Sequence, residues 1–75
     1  MAINSSVLED HWKQLRSKLK QQWMALNDND LTIIEGDANV LAGVLQEKYG
    51  YSEQKAEEEV RHFLDEVEGE LATHA

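Results

Sequence analysis

Leu8, Trp12, Leu15, Leu19 and Trp23 recur at intervals of four, three, four and four residues. At about 100° per residue that spacing lays all five within an arc of roughly 80° on one helical face. A stripe this narrow and this apolar needs a partner surface. With 75 residues and no cysteine, the chain has room for one core and no disulfide or thiolate metal site to substitute for burial. No proline interrupts it, and Leu, Glu, Gln, Lys and Ala abound, so helix is favoured over strand throughout. The expected fold is all-α: a small bundle of four helices, one of them short, in a single domain over residues 1–75. Its core spans about residues 6–71 and its termini fray.

Helix one is expected to start near Ser6, because Ser6 and Glu9 have capping-box spacing, in which each side chain satisfies a free backbone N–H. Lys13, Arg16 and Lys20 lie beside its apolar stripe and make one flank basic. Asn27-Asp28-Asn29-Asp30 ends the pattern with residues that cap helices and bend chains. Leu31, Ile33 and Ile34 follow as a brief helical turn, since a lone strand would have no pairing partner. Gly36 permits a reversal into helix three, about Asp37 to Tyr49, whose apolar residues cover roughly 200° of its circumference and mark it as central. Gly50 is placed as a left-handed cap residue, with Tyr51 positioned to fold back on Leu45. Ser52 then caps helix four, about Glu53 to Leu71. There Ala56, Val60, Phe63, Leu64, Val67 and Leu71 share roughly 100° of arc, with Glu57, Glu58, Glu59, Asp65, Glu66, Glu68 and Glu70 on a solvated acidic back.

The net charge of −8 is unevenly spread: through Leu26 four bases face two acids, and from Asn27 onward three bases face thirteen acids. A field of that sign repels nucleic acid and anionic membrane at long range and keeps a protein soluble. The start lacks a basic segment followed by an apolar run, and no stretch approaches the length of a membrane span, so a cytoplasmic location is expected.

No pattern of catalytic or ligating residues stands out. His11, His62 and His74 are far apart, and none has a partner at metal or catalytic spacing, so they are read as surface residues. Ser5, Ser6, Ser17 and Ser52 fit no nucleophile motif, and two of them are explained as caps. Asp28, Asp30, Glu35 and Asp37 form an acidic cluster in oxygen-rich sequence, but Thr32 and the glycine positions break the spacing of a calcium loop, leaving caps and solvated surface. Trp12, Trp23, Tyr49 and Tyr51 invite comparison with a base-stacking platform, yet the tryptophans sit in a leucine stripe and read as core. The basic flank of helix one is expected to face the acids of the same chain. No catalytic, cofactor or metal residue is therefore assigned, and an enzyme is not expected.

Taken together, Trp12-Lys13-Gln14-Leu15 with Lys18 and Lys20, Gln22-Trp23, Asp28-Asn29-Asp30-Leu31, Ile34-Glu35-Gly36, the run from Gly43 to Tyr51, and Ala56-Glu57 resemble the CsbD-like family of small bacterial general stress-response proteins. The match covers about residues 10 to 60. Departures are Ser17 and Met24 in place of small glycine-type residues, Asn27 in place of a threonine cap, and Asp37 in place of a base. The resemblance implies two helical hairpins packed at a steep angle, similar to SAM-domain-like folds, with expression linked to stress and no known reaction. Together with the charge asymmetry and the missing catalytic constellation, it points to a non-enzymatic cytoplasmic protein acting through its acidic surface, as a monomer or weak homo-oligomer. The alternative is a protein-interaction adaptor in which Trp23, Tyr51 or the last turn of helix four forms an exposed apolar patch. Nucleic-acid binding through Lys13, Arg16 and Lys20 is the weakest reading.

Overall fold

The stripe from Leu8 to Leu19 does form helix, but in two pieces rather than one, and Trp23 lies just past the end of the second in extended backbone. A computed structural model describes residue 3 and residues 5–73, and within them the elements run α1 (Val7–Asp10), α2 (Trp12–Gln22), α3 (Asp28–Ile34), α4 (Ala38–Tyr49) and α5 (Glu53–Thr73). The break falls at His11, which leaves the helical region with φ −120° and ψ 28°. The chain stays hydrogen-bonded through it, because the His11 N–H donates to the Val7 carbonyl at 3.1 Å and its own carbonyl accepts from Leu15 at 2.9 Å. The bend serves packing: Leu8 is fully buried, whereas Trp12 is only half-buried against the core. The expected capping box at Ser6 is absent for a geometric reason. Ser6 has φ −102° and ψ 1° and makes no side-chain cap, since its backbone is not in the extended region from which a cap reaches inward. Its hydroxyl donates instead to Asp10 Oδ2 at 3.2 Å.

The true capping box opens α3. Asn27 Oδ1 accepts from the Asp30 N–H at 2.9 Å, and Asp30 Oδ2 accepts from the Asn27 N–H at 3.0 Å. With its start fixed in this way, α3 is a seven-residue helix rather than a brief turn. It buries Leu31 and Ile34 and leaves Ile33 exposed. The exit needs two consecutive left-handed residues, Glu35 at φ 44° and Gly36 at φ 85°. Asp37 then caps α4, its Oδ1 accepting from the N–H groups of Asn39 at 2.9 Å and Val40 at 3.3 Å.

Helices α4 and α5 form a hairpin across Gly50, which takes φ 68° as the left-handed cap. Tyr51 is half-buried against the core and stacks on Tyr49 at 5.3 Å, and Ser52 Oγ accepts from the Lys55 N–H at 3.1 Å at the start of α5. The core gathers Leu41, Ala42 and Leu45 of α4, Ala56, Val60, Phe63, Leu64 and Val67 of α5, and Leu8, Leu15, Leu19 and Trp23 of the first segment. Trp23 packs on Phe63 with ring centroids 5.3 Å apart and tilted by 53°, a favourable aromatic geometry. The Cα radius of gyration is 11.5 Å, close to the about 11 Å expected for a chain of this length folded on one core. No described helix is long and apolar enough to cross a membrane.

Candidate functional site

The acidic cluster of the sequence is dispersed by the fold. Asp28 pairs with Lys20 at 2.9 Å, Asp30 closes the cap of α3, Asp37 caps α4, and Glu35 turns the chain at the end of α3. Four acids that are neighbours in sequence thus serve four separate local tasks. Among the described residues no three His, Cys, Asp or Glu side chains come together as a metal site. Asp30 departs furthest from a solvated reading: it is 7% exposed and meets Lys48 Nζ of α4 at 3.1 Å. Burial pushes its carboxyl up, but the Asn27 N–H and the hydrogen bond and charge of Lys48 outweigh this and hold it below the ordinary carboxylate value. Asp28 is also held low, by the hydrogen bond and charge of Lys20 and, more weakly, the charge of Arg16.

The basic flank of the first helices does meet acids of the same chain. Lys20 reaches Asp28, and Lys18 reaches Glu70 of α5. Lys13 and Arg16 are exposed. On α5, Glu58, Asp65, Glu66, Glu68 and Glu70 are exposed, as an acidic back requires. Glu57 is not: it is 7% exposed and meets Arg61 Nη2 one turn later at 3.4 Å. Periodicity could have flagged it, because Glu57 lies beside the Ala56, Val60 and Leu64 row.

The aromatic residues separate as well. Trp23 is 4% exposed, so it cannot be part of an exposed adaptor patch. Its place at the surface is taken by Met24, 86% exposed, and by Tyr49, whose hydroxyl accepts from the Ala25 N–H at 3.1 Å. Tyr51 has Tyr49 stacked on it and Lys55 Nζ 5.6 Å from its ring centre, an arrangement that satisfies the rings internally. His62 is exposed and lies 3.1 Å from Glu66, His11 is half-buried at the helix break, and His74 lies outside the described residues. Ser52 is a cap, while Ser5 Oγ accepts from the Val7 N–H at 3.3 Å and Ser17 is exposed. What remains at the surface is a field of carboxylates with local ion pairs.

No family model matches the chain. It is similar along most of its length to several bacterial proteins. A UPF0337 protein of Pseudomonas aeruginosa is 48% identical over 65 residues, covering 87% of this chain and 100% of the relative. A UPF0337 protein of Pectobacterium atrosepticum is 46% identical over 63 residues, 84% of this chain and 91% of the relative. One from Escherichia coli is 47% identical over 58 residues, 77% of this chain and 84% of the relative.

Proposed function

The chain belongs to UPF0337, the CsbD-like family, and on that premise we propose that it is a non-enzymatic cytoplasmic protein of the stress response that acts through its acidic surface. The observation that carries this reading is the exposed carboxylate row of α5, set on a helix whose opposite face is fully used by the core. Carboxylates bind water strongly and are poor partners for apolar surfaces, so a folded scaffold dense in them separates neighbouring proteins and retains hydration when water is scarce. The test compares the wild type with a variant carrying Glu58→Gln, Asp65→Asn and Glu68→Gln. A desiccation-labile enzyme dried with the wild type is expected to keep most of its activity, and with the variant to lose it. Equal protection by both would remove the acidic surface as the agent. In cells, deletion is expected to lower survival of desiccation or osmotic shock.

A second reading, an adaptor, is favoured by one observation: Met24 and Tyr49 are exposed large apolar side chains whose elements are tied together by the Ala25–Tyr49 hydrogen bond. It requires a specific protein captured from stressed cells by the wild type and lost with Met24→Glu.

A further inference from the structure

The seven residues of α3 are too few to hold a helix in water alone, where about 12–15 are needed even for good helix formers. What keeps α3 in place is therefore tertiary. Leu31 and Ile34, each 1% exposed, are its buried apolar residues, and α4 is the element it packs against. Two ion pairs tie its first turn to the neighbours: Asp28 Oδ1 meets Lys20 Nζ of α2 at 2.9 Å, and Asp30 Oδ2 meets Lys48 Nζ of α4 at 3.1 Å. The same Oδ2 of Asp30 accepts the Asn27 N–H at 3.0 Å that closes the capping box. One carboxylate oxygen thus holds both the start of α3 and its seat on α4. The α4–α5 contact is of another kind, made through Leu41 and Leu45 on one side and Ala56, Val60 and Leu64 on the other.

The chain is pinned on both sides of α3. Before it, the Tyr49 hydroxyl accepts from the Ala25 N–H, and after it Asp37 caps α4, reached through the left-handed residues Glu35 and Gly36. The charged groups facing α3 are Lys48 from α4 and Lys20 and Arg16 from α2. These bases keep their charge in acid, so the groups that titrate are Asp28 and Asp30, with Glu35 exposed at the exit. The Asp28 pair is solvent-exposed and weighs little. Protonating Asp30 removes its charge and turns an acceptor oxygen into a donor, which leaves the Asn27 N–H and the Lys48 ammonium facing an oxygen that no longer serves them. We propose that α3 is an acid-released flap: protonation of Asp30 frees the segment from Asn27 to Gly36 as a loop between two fixed ends, baring Leu31, Ile34 and the α4 surface beneath them while the α4–α5 hairpin stays folded. Burial pushes the Asp30 carboxyl up, the Asn27 N–H and Lys48 more than offset this, and the group titrates below 3.8. The flap is therefore held in full above 3.8 and released as pH falls through the lower folded value. The proposal goes beyond the protective reading and does not depend on it.

An acid titration of the full chain, with the amide signals of α3 and α5 followed separately by NMR, reads the order of events. The α3 amides are expected to lose their helical shifts first, at a midpoint below pH 3.8, with those of α5 unchanged. Asp30→Asn keeps an oxygen for the cap and removes the charge. Its α3 amides should exchange about tenfold faster than the wild type's at neutral pH, the size of one lost charge-assisted hydrogen bond, and should lose most of their response to acid. Lys48→Met keeps the carboxylate and the cap, and should move the α3 midpoint upward, since the base that favours the ionised form is gone. Loss of α3 and α5 at one shared midpoint would overturn the proposal, because the acid transition would then be global. So would α3 outlasting α5, or an α3 midpoint unmoved in Lys48→Met. Should Asp30→Asn fail to fold, Lys48→Met carries the test alone.

Discussion

Gly36 stands at φ 85°, and a Cβ added there would come within 3.0 Å of Glu9 Cα. Gly50 has φ 68° but open space around it. Alanine at Gly50 is therefore expected to cost only the left-handed backbone penalty of about 1–2 kcal/mol, and at Gly36 about 1–3 kcal/mol more from the clash with α1. Urea unfolding of the two variants measures the difference, and equal losses would show that α1 yields freely. Asp30 is the other residue whose effect is calculable. Asp30→Ala removes half of the capping box and the partner of Lys48, which should lower stability by about 1–2 kcal/mol near neutral pH. The folded-state carboxyls of Asp30 and Asp28 lie below the ordinary value of 3.8. Their stabilisation is therefore complete above 3.8 and lost as pH falls through the lower folded values. The urea midpoint should decline on acidification below about pH 4, less steeply in Asp30→Ala than in the wild type. Gly36 and Gly50 were both legible as turns in the sequence, since glycine tolerates positive φ. The pair of hydrogen bonds between the Asn39 side-chain amide and the Ile3 main chain was not, because it joins residues 36 positions apart and no local pattern announces it.

At the scale of elements, caps divide the expectations that succeeded from those that failed. Gly50 and Ser52 occupy the capping positions expected of them, Asp37 caps α4 from just outside it rather than beginning it, and α4 and α5 have nearly the expected bounds. Ser6 has the right spacing and the wrong backbone. Ser6→Ala is accordingly expected to cost under about 0.5 kcal/mol, whereas Asn27→Ala and Asp37→Ala should each cost about 1 kcal/mol. Urea midpoints of the three variants rank them, and a Ser6 loss matching the other two would restore the cap at α1. The split at His11 was hidden for a related reason. Helical periodicity survives a single non-helical residue almost unchanged, so the stripe of Leu8, Trp12 and Leu15 reads the same whether or not the helix bends between α1 and α2.

For the whole molecule, stability of roughly 4–11 kcal/mol is typical at this length, so one core residue can decide whether it folds. Phe63→Ala opens a cavity against Trp23 and is expected to cost about 3–5 kcal/mol. Trp12→Ala should cost less, because half of Trp12 already faces solvent. Thermal melts of both variants check the order, and a larger loss at Trp12 would mean that the first segment holds the core. The net charge of −8 is what remains when every base is set against an acid, so self-repulsion opposes the compact state. Raising salt toward about 1 M screens it, and the melting temperature should rise. A fall would show that the ion pairs of Lys18, Lys20 and Lys48 outweigh the repulsion.

By itself the sequence determined that the chain is helical, where the apolar faces lie, which residues end α3 and α4, and how unevenly charge is distributed. These are properties of spacing and local backbone chemistry, expressed over one or two turns. Only the tertiary structure decided that α1 bends away at His11, that Asp30 and Glu57 are taken inside, that Trp23 rather than Trp12 meets Phe63, and that Asn39 closes on Ile3. Each depends on which surfaces remain to be covered once α4 and α5 have packed, and burial of that kind is settled by elements distant in sequence meeting at one core.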